Sequence, residues 1–231
     1  MRFRPIHIGA GLVALGAAWL APQPSFALNA KPVNMTDLVR QADQIVAGAV
    51  TNVTEGVDAH GLPYTQIELS VVESIRGSAS GTFTFRQFGF QTPQPAADGR
   101  KRLNLVAGMP QYTKNDHVML FLSRTSSMGM RTTIGLGQGR FALRGGQYEN
   151  LASNAGLFRN VDFSRFALNE RERFLTTTEI GAVQAETFLG LVRRAVSENW
   201  WAPAPPRRGG QINPGRRGAN KVVQGNDPGV N

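Results

Sequence analysis

Residues 64–75, YTQIELSVVESI, decide the fold class. Thr65, Ile67, Leu69 and Val71 alternate with Gln66, Glu68 and Ser70, the two-residue period of a strand with one buried face. A helix would place its apolar residues three and four apart. Upstream, QIVAGAVTNV (44–53) is rich in strand formers, and Gly48 within it marks a bulge or a sharp bend. EGVDAHGLP (55–63) between the two is a polar, glycine-bearing turn. Arg76-Gly77 ends the second strand. Gly81 opens a third, TFTFRQF (82–88), with Phe83, Phe85 and Phe88 as candidate core residues.

Further along, residues 89–106 hold Pro93, Pro95, Gly99 and the basic run Arg100-Lys101-Arg102, and read as a long loop or insertion. DHVMLFLS (116–123) is the most apolar stretch and is expected to be a central strand. Residues 131–136 and 140–143 read as a closing hairpin joined at Gly137-Gln138-Gly139. Five or six short strands with turn punctuation between residues 44 and 143 predict a mainly β fold with some α, built on a small barrel or sandwich.

Two helices flank these strands. NMTDLVRQA (34–42) is short, capped by Thr36 or Asn34, with Asp37 favourably placed in its first turn. Residues 179–199 give the clearer pattern: Ile180, Val183, Phe188, Leu191, Val192 and Ala195 form a stripe. Glu179 and Glu186 lie toward its start and Arg193 and Arg194 toward its end, matching the helix dipole. It reads as a packing helix. Residues 150–178 read as irregular, with Phe158, Phe163, Phe166 and Phe174 available to pack on the strands.

The two ends are different in kind. Arg2 and Arg4 precede a charge-free run, IGAGLVALGAAWL (8–20), too short to span a bilayer. Pro22 and Pro24 follow, and Ser25-Phe26-Ala27 has the small residues that a signal peptidase reads. Residues 1–27 are therefore expected to be a signal peptide cut between Ala27 and Leu28, with the product in the periplasm or outside the cell. The end is a Pro-, Gly- and Arg-rich stretch. Residues 28–199 are expected to be one globular domain and residues 200–231 a disordered basic tail beginning at Trp200 and Trp201.

The formal net charge is +9, but the tail holds Arg207, Arg208, Arg216, Arg217 and Lys221 against Asp227 alone. With Arg2 and Arg4 in the leader, the globular part is closer to balance, so basicity is weak evidence for a nucleic-acid partner. The tail itself could meet phosphate-rich surfaces, or simply be solvated; it has no interleaved aromatics to stack on bases.

The chemistry is restricted. With no cysteine, thiolate catalysis, thiol–disulfide exchange, zinc–thiolate sites and iron–sulfur clusters are excluded. Only His60 and His117 remain after the leader, too few for a three-histidine zinc site. Gly135-Leu-Gly137-Gln-Gly139 lacks the third glycine spacing of a dinucleotide fingerprint. Asp58 with His60 and Asp116 with His117 are the carboxylate–imidazole neighbours, and a base-and-orienter role would need a third partner that the sequence does not assign. No spacing singles out a pair among the 16 acids for glycoside chemistry. No catalytic, cofactor or metal residues are predicted.

Four segments carry a resemblance: RQADQIVAGAVTNV (40–53), YTQIELSVVESIRG (64–77), GMPQYTKNDHVMLFL (108–122) and IGLGQGRF (134–141). Together they resemble a set of uncharacterised exported bacterial proteins. These share an Ala-Asp pair before a first strand, a Tyr-Thr opening a second that ends in a basic residue plus glycine, and a Gly-x-Pro before an apolar strand. More distantly the order resembles the OB-like barrel of tissue inhibitors of metalloproteinases and netrin modules. That resemblance implies a barrel and a protein-binding role. The zinc-chelating N-terminal cysteine of those inhibitors has no counterpart here. The expected function is an exported, non-catalytic binding module, its partner another exported protein or an envelope polymer. An unrecognised hydrolase or a cysteine-free protease inhibitor are the alternatives.

Overall fold

The computed structural model describes residues 31–95, 101–102 and 106–202. The expected signal peptide, its cut site at Ala27 and Leu28, and the tail from residue 203 lie outside them.

The chain opens with α1 (Met35–Gln41). Asn34 Oδ1 caps it, accepting from the Asp37 amide at 2.9 Å, and Met35, Leu38 and Val39 are buried. Then come β1 (Gln44–Val57), β2 (Pro63–Arg76) and β3 (Thr82–Phe88). A two-residue pair, β4 (Gln94–Pro95) and β5 (Lys101–Arg102), interrupts the region read as a loop. After β6 (His117–Leu122) a 3-10 turn (Leu136–Gly139) leads into β7 (Arg140–Arg144) and β8 (Gln147–Glu149). Last come α2 (Glu170–Thr176), β9 (Val183–Gln184) and α3 (Ala185–Ser197). Seven strands form one antiparallel sheet in the order β3-β2-β1-β6-β7-β8-β9, with β6 at its centre.

Two apolar cores lie against this sheet. The first gathers Met35, Leu38, Ile45, Ala47, Met119, Phe121, Phe141, Phe188, Leu191 and Trp200 under the helices. The second gathers Val46, Val50, Ile67, Leu69, Phe85, Tyr112, Val118, Leu120 and Leu122. Alternate residues of β1 and β6 feed opposite cores, so both strands are buried on two faces. That explains why VMLFL is continuously apolar while β2 alternates. The bulge at Gly48 is real: the β1–β2 register shifts between Ala47 and Gly48, and a Cβ there would lie 2.4 Å from the Ser70 carbonyl oxygen.

Phe188 is the hub of the first core. Its ring lies 5.1 Å from Phe141, 6.3 Å from Tyr148 and 6.3 Å from Phe158, centroid to centroid. α3 is tied to β2 by Arg193, whose Nε and Nη2 each donate to Glu73 at 2.6 Å. It is tied to α2 by Arg194, which donates to the buried Glu172 at 2.7 Å.

Several expectations are corrected. Residues 131–136 and 140–143 are not a hairpin: β7 pairs with β6 and β8, and the earlier segment contributes a single bridge, Thr133 to Leu122. The last helix begins at Ala185, because Val183 and Gln184 pair with β8 and Gln184 caps the helix. Ile180 therefore leaves the stripe and is 66 % exposed. On β3 the buried positions are Phe85 and Gln87, the latter's carboxamide donating to the Pro110 carbonyl at 2.9 Å, while Phe88 faces solvent. α2 occupies part of the stretch read as irregular, and its Phe174 is 79 % exposed. Trp200 is not a tail residue: it is buried and stacks on Phe166 at 4.1 Å.

Candidate functional site

The two carboxylate–histidine neighbours resolve into turn architecture. Asp58 Oδ1 accepts from the amides of His60 at 2.8 Å and Leu62 at 2.9 Å, closing the β1–β2 turn. Those amides, Leu62 first, hold its carboxyl below the usual range. His60 is exposed at the tip. Asp116 turns away from His117: its Oδ2 accepts from Arg140 Nη2 at 2.5 Å and from the Thr113 amide at 3.0 Å. His117 opens β6 in an exposed position. Both carboxylates are thus committed to donors other than an imidazole. Among the described residues no group of three His, Asp or Glu is placed to hold a metal ion.

The motif residues are also structural. Ala42 ends α1, and Asp43 lies 3.5 Å from Arg131 and 3.8 Å from Arg124. The Arg86 guanidinium lies over the Tyr64 ring at 4.3 Å, and the Thr65 hydroxyl donates to the Gly89 carbonyl at 2.8 Å. Arg76 donates to the carbonyls of Val39 and of Ala42, the latter at 2.9 Å, so it closes the C-terminus of α1. Its guanidinium also lies 4.6 Å from the Trp201 ring centroid. Gly108 accepts from the Gly137 amide at 2.9 Å, and Pro110 accepts from Gln87.

Gln138 works at the other end of the chain. Its carboxamide accepts from the Val33 amide at 2.8 Å and donates to the Lys31 carbonyl at 3.1 Å. One side chain thereby pins the first described residues to the 3-10 turn.

The remaining feature with chemical content is a cleft of about 200 Å³ on the β7–β8 face, lined among others by Arg140, Arg144, Gln147, Glu149 and Leu151. Arg140, Ala142 and Arg144 project to one side of β7, and across the ladder Glu149 faces Ala142 and Gln147 faces Arg144. Arg140 is anchored deep: its side chain is 8 % exposed, Asp116 grips Nη2, and its guanidinium carbon lies 5.2 Å from the Tyr112 ring centroid. Its Nε and the Tyr112 hydroxyl are buried with no partner among the described residues. Burial pushes the Tyr112 phenol far up, out of reach of ordinary pH. Arg144 is exposed and makes no ion pair among the described residues. Sequence reasoning passed over Arg140 and Tyr112. Lone residues with no spacing partner gave no signal, and the bond to Asp116 spans 24 positions.

A second cleft, about 240 Å³, lies between the start of α1 and the loop carrying Asp162 and Arg165, with Trp200 and Trp201 on its wall. Here Asp37 and Arg40 pair with each other at 2.6 Å, and Asp162 caps the Ser164 amide. No family model, curated protein or solved structure matches the chain.

Proposed function

We propose that the chain is an exported, non-catalytic binding module, cut from its leader between Ala27 and Leu28. The observation that carries this reading is the commitment of Asp58 and Asp116. Each carboxylate beside a histidine is bound to backbone amides or to a guanidinium, which leaves His60 and His117 as exposed imidazoles with no orienting group among the described residues. The cleft around Arg140 and Arg144 offers charge and hydrogen bonds, the equipment of recognition.

The domain core is read as a small OB-like barrel. Supporting this, β1 lies between β2 and β6, and the segment bridging β6 at Thr133 also donates from the Arg131 amide to the Arg86 carbonyl of β3 at 2.8 Å. These elements ring the second core. The partner is another exported protein or an envelope polymer.

The test has two arms. Intact mass of the exported protein should start at Leu28. A hydrolase screen over peptide, ester, phosphate and glycoside substrates should show no turnover. Turnover that disappears with His60→Ala or His117→Ala would overturn the reading.

A further inference from the structure

We propose that the β7–β8 cleft seats a carboxylate, and that its occupant is an acidic side chain on a polypeptide partner. This rests on the binding-module reading and gives it a ligand chemistry.

Arg140 is the built part of the site. Asp116 holds Nη2, Nε is fully buried, and Nη1 is neither bonded nor fully buried among the described residues. It is therefore the nitrogen left to meet a ligand in the cleft that Arg140 lines. With its guanidinium pinned by Asp116 and backed by Tyr112, Arg140 has little rotamer freedom left to lose on binding. Asp116 also neutralises much of its charge, so Arg140 orients an anion more than it attracts one. Arg144 supplies the attraction. It lies four residues along the same face, with Ala142 between, roughly 13 Å away along the strand; both arginines line the cleft, and no described carboxylate pairs with Arg144.

Glu149 sets a further condition. It faces Ala142, between the two arginines, and would repel a bare anion. A ligand that carries an N–H donor near its carboxylate satisfies both signs, as an acidic residue does with its own backbone amide. The cleft has room for about one side chain, below the roughly 300 Å³ at which drug-sized pockets begin. Among the described residues no aromatic ring lines it for a sugar face to stack on, while the exposed Leu151 beside it offers apolar contact to a neighbouring residue of a peptide.

The experiment is fluorescence anisotropy of the whole mature chain with a labelled ten-residue glutamate peptide. A lysine peptide and an oligogalacturonate serve as competing chemistries. Expected is salt-sensitive binding of the glutamate peptide alone, weakened at least tenfold by Arg144→Glu and not weakened by Glu149→Gln. Arg144 is exposed, so this variant should keep the wild-type melting temperature; Arg140→Gln is informative only where its melt shows a folded protein. A full-length variant with Arg207, Arg208, Arg216 and Arg217 changed to Ser controls for the tail. Loss of binding there, with none in Arg144→Glu, overturns the proposal. So does absence of glutamate-peptide binding, or equal binding of the oligogalacturonate, which would move the ligand class to an envelope polymer. If an exported partner is retained by wild type and by Arg144→Glu alike, the cleft assignment fails while the binding-module reading stands.

Discussion

Gly77→Ala tests how the Arg-Gly end of β2 is built. Gly77 has φ +86°, a left-handed conformation that costs an alanine about 1–2 kcal/mol. A Cβ there would also lie 2.0 Å from Gln44 Oε1 and 2.6 Å from its Cδ. Gln44 is buried, and its carboxamide donates to the Arg76 carbonyl at 2.6 Å and to the Ser74 hydroxyl at 3.1 Å. To make room it must swing away and give up both bonds, each worth roughly 0.5–1.5 kcal/mol net. The sum is about 2–5 kcal/mol, a large share of the 5–15 kcal/mol typical of a domain. In urea, with a slope near 2 kcal/mol/M, the midpoint should fall by about 1–2.5 M. The decisive assay is a double-mutant cycle. In a Gln44→Ala background the collision is gone, and Gly77→Ala should then cost only the backbone strain. A coupling energy of about 1–3 kcal/mol is expected. Equal costs in the two backgrounds, agreeing within about 0.5 kcal/mol, would refute the reasoning.

Three further outcomes follow from the same structure. Phe188→Ala should cost about 3–5 kcal/mol in urea melts, since the fully buried ring packs against Phe141, Tyr148 and Phe158, whereas Phe174→Ala should stay within about 0.5 kcal/mol. Glu172→Ala breaks a buried pair with Arg194 and a capping box with Asn169, and should cost about 3–5 kcal/mol by thermal melt, against about 0–1 kcal/mol for Arg40→Ala at the exposed pair with Asp37. The Trp200 indole N–H, and then Arg194, hold the Glu198 carboxyl below its ordinary value of 4.5. Because the folded state binds this proton less readily, the contribution is complete above that value and is lost as pH falls through the lower folded one. Trp200 fluorescence should shift in that acid window, and Glu198→Gln should abolish the window.

What could be read in advance was whatever local period and burial agree on. β2 alternates because one face is buried, β6 is uniformly apolar because both are, and α1 carries its own cap in Asn34. Errors arose where a distant partner overruled the pattern. Gln87 is buried because Pro110 accepts its amide, and no apolar scale predicts that. Val183 fits the helical spacing, yet β8 takes it as a strand partner. α2 did leave a signal, Asn169 three residues before Glu172, which form the capping box, but seven residues are too few for a periodicity to show. In the cleft, the pairing of Arg140 with Asp116 depends on β6 and β7 being neighbours, and that became visible only once the strand order was known.

The first core also governs how the chain reaches its native state. It joins Met35 and Leu38, near the start of the described chain, to Phe188, Leu191 and Trp200, near its end. No early portion can complete that core alone, so closure waits for nearly the whole domain, and such long-range topologies fold slowly. Until then β1 and β6, apolar on both faces, are exposed together and prone to self-association. For a chain read as crossing a membrane on its way out, the delay has a use. On that reading it would keep the polypeptide threadable until α3 arrives.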